Sequence, residues 1–204
     1  ETALSYSRSR QPEMVLLTPG IYNSAYYEHS YLAQQMGIDL VQGTDLVVLK
    51  DNFVYKKTIE GLVRVDVIYR RIDDDFLDPL RGNKDSVLGV EGLIESWRKK
   101  HVSIINAPGC GIADDKAVYS FVPEMIKFYL KEEPIIENLK TYLMSDKESF
   151  ELIKDRFKEF VIKPVAESGG YGIVIGKSAS KKEKEETLKL IRKDPRNYIA
   201  QPLA

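Results

Sequence analysis

The sequence predicts an α/β fold in which a mainly parallel sheet precedes a smaller α+β segment, and three observations carry that expectation. Short apolar runs of strand length, "EMVLLTPG" (13–20), "RVDVIYRRI" (64–72) and "HVSIINAP" (101–108), recur with helical patterns between them. A strand, a helix and a further strand with short apolar cores favour parallel pairing through crossovers. Beyond about residue 140 the order changes to helix, strand, glycine turn, strand, helix and strand.

In chain order, residues 1–11 form a polar arm, and "EMVLLTPG" is a buried strand stopped by Pro19-Gly20. A helix is expected over Ser24–Met36, with Asn23 or Ser24 as its cap and Gly37 as its stop. "DLVVLKDNFVYKKT" (45–58) reads as a hairpin around Asp51-Asn52. "SVLGVEGLIESWRKK" (86–100) supplies a crossover helix between the strands "RVDVIYRRI" and "HVSIINAP". A long helix over Ala113–Leu130 is expected to distort near Pro123, which cannot donate its N–H. This gives a first domain over 12–131, a linker over 132–140 where charge and Pro134 interrupt the periodicity, and a second domain over 141–204.

In that second domain a helix, Lys147–Lys158, leads into "VIKPVAESGGYGIVIG" (161–176), a strand, a glycine turn and a second strand. Ser180-x-x-Glu183 is a capping box for a helix carrying the Glu185–Lys189 pair, and "NYIAQPLA" (197–204) opens a last strand. A chain that stops on an apolar strand is expected to be a fragment of a longer protein.

The 204 residues are 43% hydrophobic and 30% charged, with a formal net charge of −1, so the chain has material for a full core and no electrostatic footprint for nucleic acid. No apolar run reaches membrane-spanning length, and "ETALSYSRSR" has no secretory core. A single cysteine, Cys110, excludes an internal disulfide and fits a reducing cytoplasm; with only His29 and His101 beside it, a zinc site is not expected.

Four polar groupings carry candidate chemistry. Lys163 lies inside a strand before Gly169, Gly170 and Gly172; it is either an edge lysine that snorkels to water or a phosphate contact beside an open backbone turn. "YRRIDDDFLDP" places Arg70, Arg71, Asp73, Asp74, Asp75 and Asp78 at a strand's carboxyl end, where open α/β sheets bind ligands. These residues either grip a carboxylate or phosphate, or form an Arg–Asp network that closes a loop. In "INAPGCGIADDKAVY" Asp114 and Asp115 suit a helix N-terminus, Lys116 is less easily explained without an anion nearby, and Cys110 is either a nucleophile or a loop cysteine. "TPGIYNSAYYEHSYL" sets Gly20, Asn23, Ser24, Tyr26, Glu28 and His29 after the first strand, its tyrosines serving packing ahead of recognition.

In order, these segments resemble the ATP-grasp superfamily: "FVIKPVAESGGYGIVIG" is similar to its lysine strand and flexible glycine loop, and "YIAQPL" to the strand that reaches the adenine hinge. More closely, "VLLTPGIYNSAYYEHSYLAQQMGIDLVQGTDLVV", "VDVIYRRIDDDFLDPL" and "NAPGCGIADDKAVYSFVPEMIKFYL" resemble the circularly permuted ATP-grasp type 2 family, over nearly the whole chain after Gln11. The resemblance implies a Rossmann-like, glutathione-synthetase-like pre-ATP-grasp domain followed by an incomplete α+β nucleotide-binding subdomain.

It also implies roles. Lys163 and Lys116 would contact ATP phosphates; Ser168, Gly169, Gly170, Tyr171 and Gly172 would fold over them; backbone near Ala200 and the side chain of Gln201 would meet adenine. Arg70, Arg71, Asp75, Asn23 and Asn106 would face a small carboxylate or peptide-like substrate. Such enzymes phosphorylate a carboxylate and let an amine displace phosphate, using ATP and magnesium. The metal's acidic and asparagine ligands match no segment of this chain, so they are expected in a remaining subdomain, and this chain is expected to be inactive alone. The rival expectation is a nucleotide- or peptide-binding module without chemistry. A dinucleotide-binding Rossmann protein is disfavoured, because "TPGIYNSA" stands where G-x-G-x-x-G would follow the first strand.

Overall fold

The computed structural model describes residues 11–166 and 170–203, and the chain divides into two compact units, Glu1–Gly111 and Ile112–Ala204. The first unit contains β1 (Met14–Leu17), α1 (Tyr26–Met36), β2 (Asp39–Val41), β3 (Leu46–Val48), β4 (Val54–Thr58), β5 (Gly61–Val65), β6 (Val67–Arg70), α2 (Asp74–Leu77), α3 (Leu93–Arg98) and β7 (Ser103–Ile105). Its main sheet has the order β2-β1-β6-β7 and is parallel throughout. Val15, Leu16 and Leu17 are wholly buried, as expected of a central strand covered on both faces. Gly37 ends α1 in the left-handed conformation, at φ 65°.

A second, antiparallel sheet, β3-β4-β5, contains the expected hairpin. "RVDVIYRRI" is two strands, not one. Glu13 and Asp66 bond to each other where the chain passes from one sheet to the other: Asp66 N–H donates to the Glu13 carbonyl (2.9 Å), and Glu13 N–H donates to Asp66 Oδ2 (3.1 Å). Lys56 of β4 reaches Glu13 and Asp39 and ties the sheets together. Burial alone would lower its ammonium pKa, but the hydrogen-bonded Asp39 and Glu13 carboxylates outweigh that and raise it.

The crossover helix is shorter than the periodicity suggests. At Gly89 the backbone passes so close to the Phe76 and Leu77 carbonyls that a Cβ would lie 2.2 Å from one of them, so this stretch is held against the 76–77 segment. The helix starts at Leu93, where buried Asp78 accepts from Gly92 N–H (3.2 Å) and Ile94 N–H (3.0 Å), a cap supplied from outside the helix.

The second unit contains α4 (Lys116–Tyr119), α5 (Val122–Met125), a π-turn over Ile126–Leu130, β8 (Tyr142–Leu143), α6 (Lys147–Asp155), β9 (Phe160–Pro164), β10 (Val174–Ile175), α7 (Lys181–Lys193) and β11 (Tyr198–Pro202). The expected long helix is broken. Asp115 caps α4 through Ala117 and Val118 N–H, and α4 stops at Tyr119, whose carbonyl the Pro123 ring would meet in a continuous helix. The sheet runs β10-β9-β11-β8 and is antiparallel throughout. Ile162 and Ala200 pack with Met144, Ile153, Phe157, Phe160, Leu188 and Ile191 on one face. Ser180 accepts from Glu183 N–H at 3.1 Å and starts α7 as expected. No helix among the described residues is long and apolar enough to cross a membrane.

Candidate functional site

Alternation along β9 decides where Lys163 points. Phe160, Ile162 and Pro164 are buried, and Ile162 belongs to the core, so Val161 and Lys163 face the opposite side of the sheet. On the neighbouring strand Gln201 pairs with Val161 and shares that side. Lys163 Nζ donates to Gln201 Oε1 at 2.8 Å, and Gln201 Nε2 donates to Thr141 Oγ1 at 2.9 Å. Lys163 is therefore no solvent-seeking edge lysine: β9 lies between β10 and β11, and its ammonium is held by a side-chain amide that is itself held.

Lys116 arrives at the end of the same strand. Its backbone N–H and its Nζ both donate to the Val165 carbonyl, at 3.3 and 3.1 Å. The glycine turn that follows takes positive φ at Gly170 (81°) and Gly172 (68°); at Gly172 a Cβ would also come within 2.7 Å of Pro164 Cγ, so a side chain is excluded twice over. Tyr171 between them is exposed. Ser168 and Gly169 lie outside the described residues. Ala200 sits inside the ladder, flanked by Ile162 of β9 and Tyr142 of β8, with its side chain wholly buried. Thr141 was not indicated by any motif; a lone threonine at the end of a polar linker has no sequence signal.

In the first unit the carboxyl ends of β1, β6 and β7 collect the other expected residues. Arg70 is buried and heavily engaged. Its Nε donates to the Asn106 carbonyl (2.7 Å), Nη1 to the Ile72 carbonyl (2.7 Å), and Nη2 to the Ala107 carbonyl (3.1 Å) and Cys110 Sγ (3.3 Å). Asp74 pairs with Nη2 at 2.7 Å and accepts from Gly109 N–H at 3.1 Å. This is the loop-closing network, and Cys110 belongs to it as an acceptor. Asn106 enters it through its carbonyl, and Asn23 is spent on the approach to α1, its Oδ1 accepting from Ala25 N–H at 2.9 Å. Asp75 is exposed, and Arg71 pairs with Glu28.

Helix α1 buries His29 and Ala33; Tyr26 is half-buried, whereas Tyr22 before the helix and Tyr27 within it are 99% and 82% exposed, so the packing expected of the tyrosines is found only at Tyr26. His29 Nδ1 lies 2.9 Å from Thr18 Oγ1. Burial, and then the Arg71 charge, lower its pKa, against a smaller opposing pull from Glu28. The folded state thus favours neutral His29, and the unfolded chain binds the proton more readily. The stability this confers is complete above the ordinary value near 6.5 and is lost as pH falls below it. In urea titrations from about pH 7.5 to 5, His29→Gln should flatten part of the acid-side loss of stability; an unchanged slope would contradict this.

Among the described residues no group of three or more His, Cys, Asp and Glu is arranged to hold a metal ion. Two open grooves, of ≈ 480 Å³ beside Leu46, Asn52 and Gly92 and ≈ 530 Å³ beside Phe157, Gly176 and Lys184, include neither lysine of the β9 cluster nor Arg70.

The sequence model of a family described as circularly permuted ATP-grasp type 2 matches residues 2–204. An uncharacterized protein of Synechocystis sp. is 54% identical over 94% of this chain, which covers 40% of that protein; one of Mycobacterium tuberculosis is 53% identical over 94%, with 35% covered. A Frankia casuarinae protein named as a candidate glutamate–cysteine ligase is 40% identical over 94% of the chain, with 22% covered. The chain thus spans about two fifths or less of the length of these relatives. Among solved structures, the VanG D-Ala:D-Ser ligase of Enterococcus faecalis aligns with a TM-score of 0.50 at 11% identity, over 95% of this chain and 63% of its own. The ATP-grasp ligase PsnB, complexed with minimal precursor, gives 0.50 at 12% identity, over 94% and 64%. At these identities the likeness is one of fold.

Proposed function

The chain belongs to the circularly permuted ATP-grasp type 2 family, and on that premise we propose that it supplies the substrate-facing domain and one wall of the nucleotide site of an ATP-dependent carboxylate–amine ligase. The observation that carries the proposal is the convergence of Lys163, Lys116 and a positive-φ glycine turn on the carboxyl end of β9. Lys163 gives one N–H to Gln201, which leaves two N–H groups for phosphate oxygens among the described residues. Gly170 and Gly172 allow backbone N–H groups to approach the same oxygens, and the loop shields a hydrolysable intermediate from water.

When bound, ATP would supply the phosphoryl group to a substrate carboxylate with ADP as the leaving group, and an amine would then displace phosphate from the acyl carbon, its N–H proton passing to solvent or to the departing phosphate. The two lysines stabilise charge on the transferring phosphoryl oxygens. Magnesium would be held by the rest of the protein. Arg71, Asp75, Asn23 and Asn106 are proposed to border the carboxylate substrate, with Arg70 holding together the segments after β6 and β7 that carry Arg71, Asp75 and Asn106. The glutamate–cysteine ligase name is not transferred, since the matched segment is 22% of that protein. A single cysteine accords with a cytoplasmic setting.

The test is turnover of the full-length protein with ATP, panels of amino acids, peptides and polyamines, and hydroxylamine as a trap for the acyl phosphate. Carboxylate-dependent ADP release with hydroxamate formation is expected. Nucleotide binding with no turnover under any pairing would replace the ligase with a binding module.

A further inference from the structure

The run from α4 through the linker places no residue of its helical turns in the core of the second unit, although it is rich in large apolar side chains. Met125, Phe128, Tyr129, Leu130, Ile135 and Ile136 are between 41% and 96% exposed. The linker that carries the two isoleucines turns back to the end of α4. There the Tyr119 carbonyl accepts from Asn138 Nδ2 and the Tyr119 hydroxyl accepts from Leu139 N–H, both at 3.0 Å. A single exposed apolar residue needs no explanation, but six within one short run form a patch. Their exposed area is roughly 800 Å², taking about 150–250 Å² for each large side chain. The largest apolar patch on a monomer is typically about 300–600 Å², whereas a stable interface buries about 800 Å² on each partner.

We propose that this ridge is a homodimer interface, on which a second copy of the chain docks across a two-fold axis with the helical runs antiparallel. Such an interface must be complementary to itself, and the charges that border the ridge are. Exposed Glu124 stands toward the N-terminal end. Lys131 stands at the C-terminal end, its Nζ 5.0 Å from the centre of the Phe128 ring. Lys127, the other base of the run, is already paired with Glu133 at 2.7 Å. Antiparallel docking brings Glu124 of each copy to Lys131 of the other, with Phe128 beside the axis and Met125 against Leu130 of the second copy. Parallel docking would instead oppose like charges at both ends. A membrane surface calls for bases alone, and this run carries Glu124, Glu132, Glu133 and Glu137 as well. None of these residues belongs to the lysine cluster of β9, so the interface is independent of the nucleotide reading.

Sedimentation equilibrium of the full-length protein tests it. The wild type is expected to be a dimer with a dissociation constant of about 1 μM or tighter, as for other interfaces of this size. Phe128→Asp should weaken association by at least about 30-fold, the cost of a central aromatic anchor. Glu124→Lys and Lys131→Glu should each weaken it by about 3- to 10-fold through like charges facing across the axis, and the two substitutions together should restore it. None of the three side chains is buried, so circular dichroism should stay unchanged; Tyr129→Asp reads the same interface if Phe128→Asp proves unfolded. A monomeric wild type overturns the proposal, and protection of 121–139 from hydrogen exchange in that monomer would assign the cover to another part of the full-length protein. A dimer that the aspartate variants leave intact places the interface elsewhere. A double variant no tighter than the single ones overturns the antiparallel docking.

Discussion

Lys163→Ala in the full-length protein is expected to lower kcat/KM for ATP-dependent turnover by about 10²- to 10³-fold, the usual cost of removing one preorganised donor from a developing oxyanion. The expectation follows from placement. Lys163 is inside a four-stranded sheet, on the face away from the apolar core, with its ammonium oriented by Gln201. Because the core side is untouched, the urea midpoint should shift little, and the loss should read as chemistry rather than unfolding. Lys163→Arg separates charge from geometry: a guanidinium keeps the charge but not the compact ammonium that a single amide oxygen can direct. It should recover only part of the rate. Turnover by Lys163→Ala at the wild-type rate would remove Lys163 from the phosphate site.

The parts of this arrangement that were legible in the sequence are those set by neighbours along the chain. Period-two alternation places Ile162 inward and Lys163 outward, and the glycines after them mark a turn; both were readable from 161–176. Gly37 and Ser180 announced helix ends by local capping chemistry. What was illegible depends on partners far away in sequence. The crossover helix begins at Leu93 because Asp78 caps it and the 76–77 carbonyls crowd Gly89. β2 and β8, at three and two residues, are too short for any periodicity and exist through their parallel and antiparallel neighbours. Thr141 gains its meaning from Gln201, 60 positions on. The same holds for Arg70: the sequence showed arginines and aspartates at a strand end, which fits ligand binding and loop closure equally, and the count of engaged N–H groups distinguishes the two.

That count leads to the second large effect, on stability. Arg70→Ala should destabilise the first unit by about 3–4 kcal/mol, because breaking a buried, hydrogen-bonded ion pair strands the partners that remain. The guanidinium now satisfies the carbonyls of Ile72, Asn106 and Ala107, from the loops after both β6 and β7. No other residue type reaches three carbonyls and a carboxylate from one planar fork. Arg70→Lys should therefore recover little, whereas a simple requirement for positive charge would let lysine restore most of the loss. Asp74→Asn should cost less than Arg70→Ala, since Asp74 is partly exposed and the three carbonyl bonds survive. Urea unfolding without substrate makes the distinction. A residue reserved for gripping a ligand would alter KM and leave the midpoint in place, and that outcome would return Arg70 to the substrate site. With Arg70 committed to the loops, Arg71 is the arginine at that strand end whose partner, Glu28, is itself exposed enough to yield to a carboxylate.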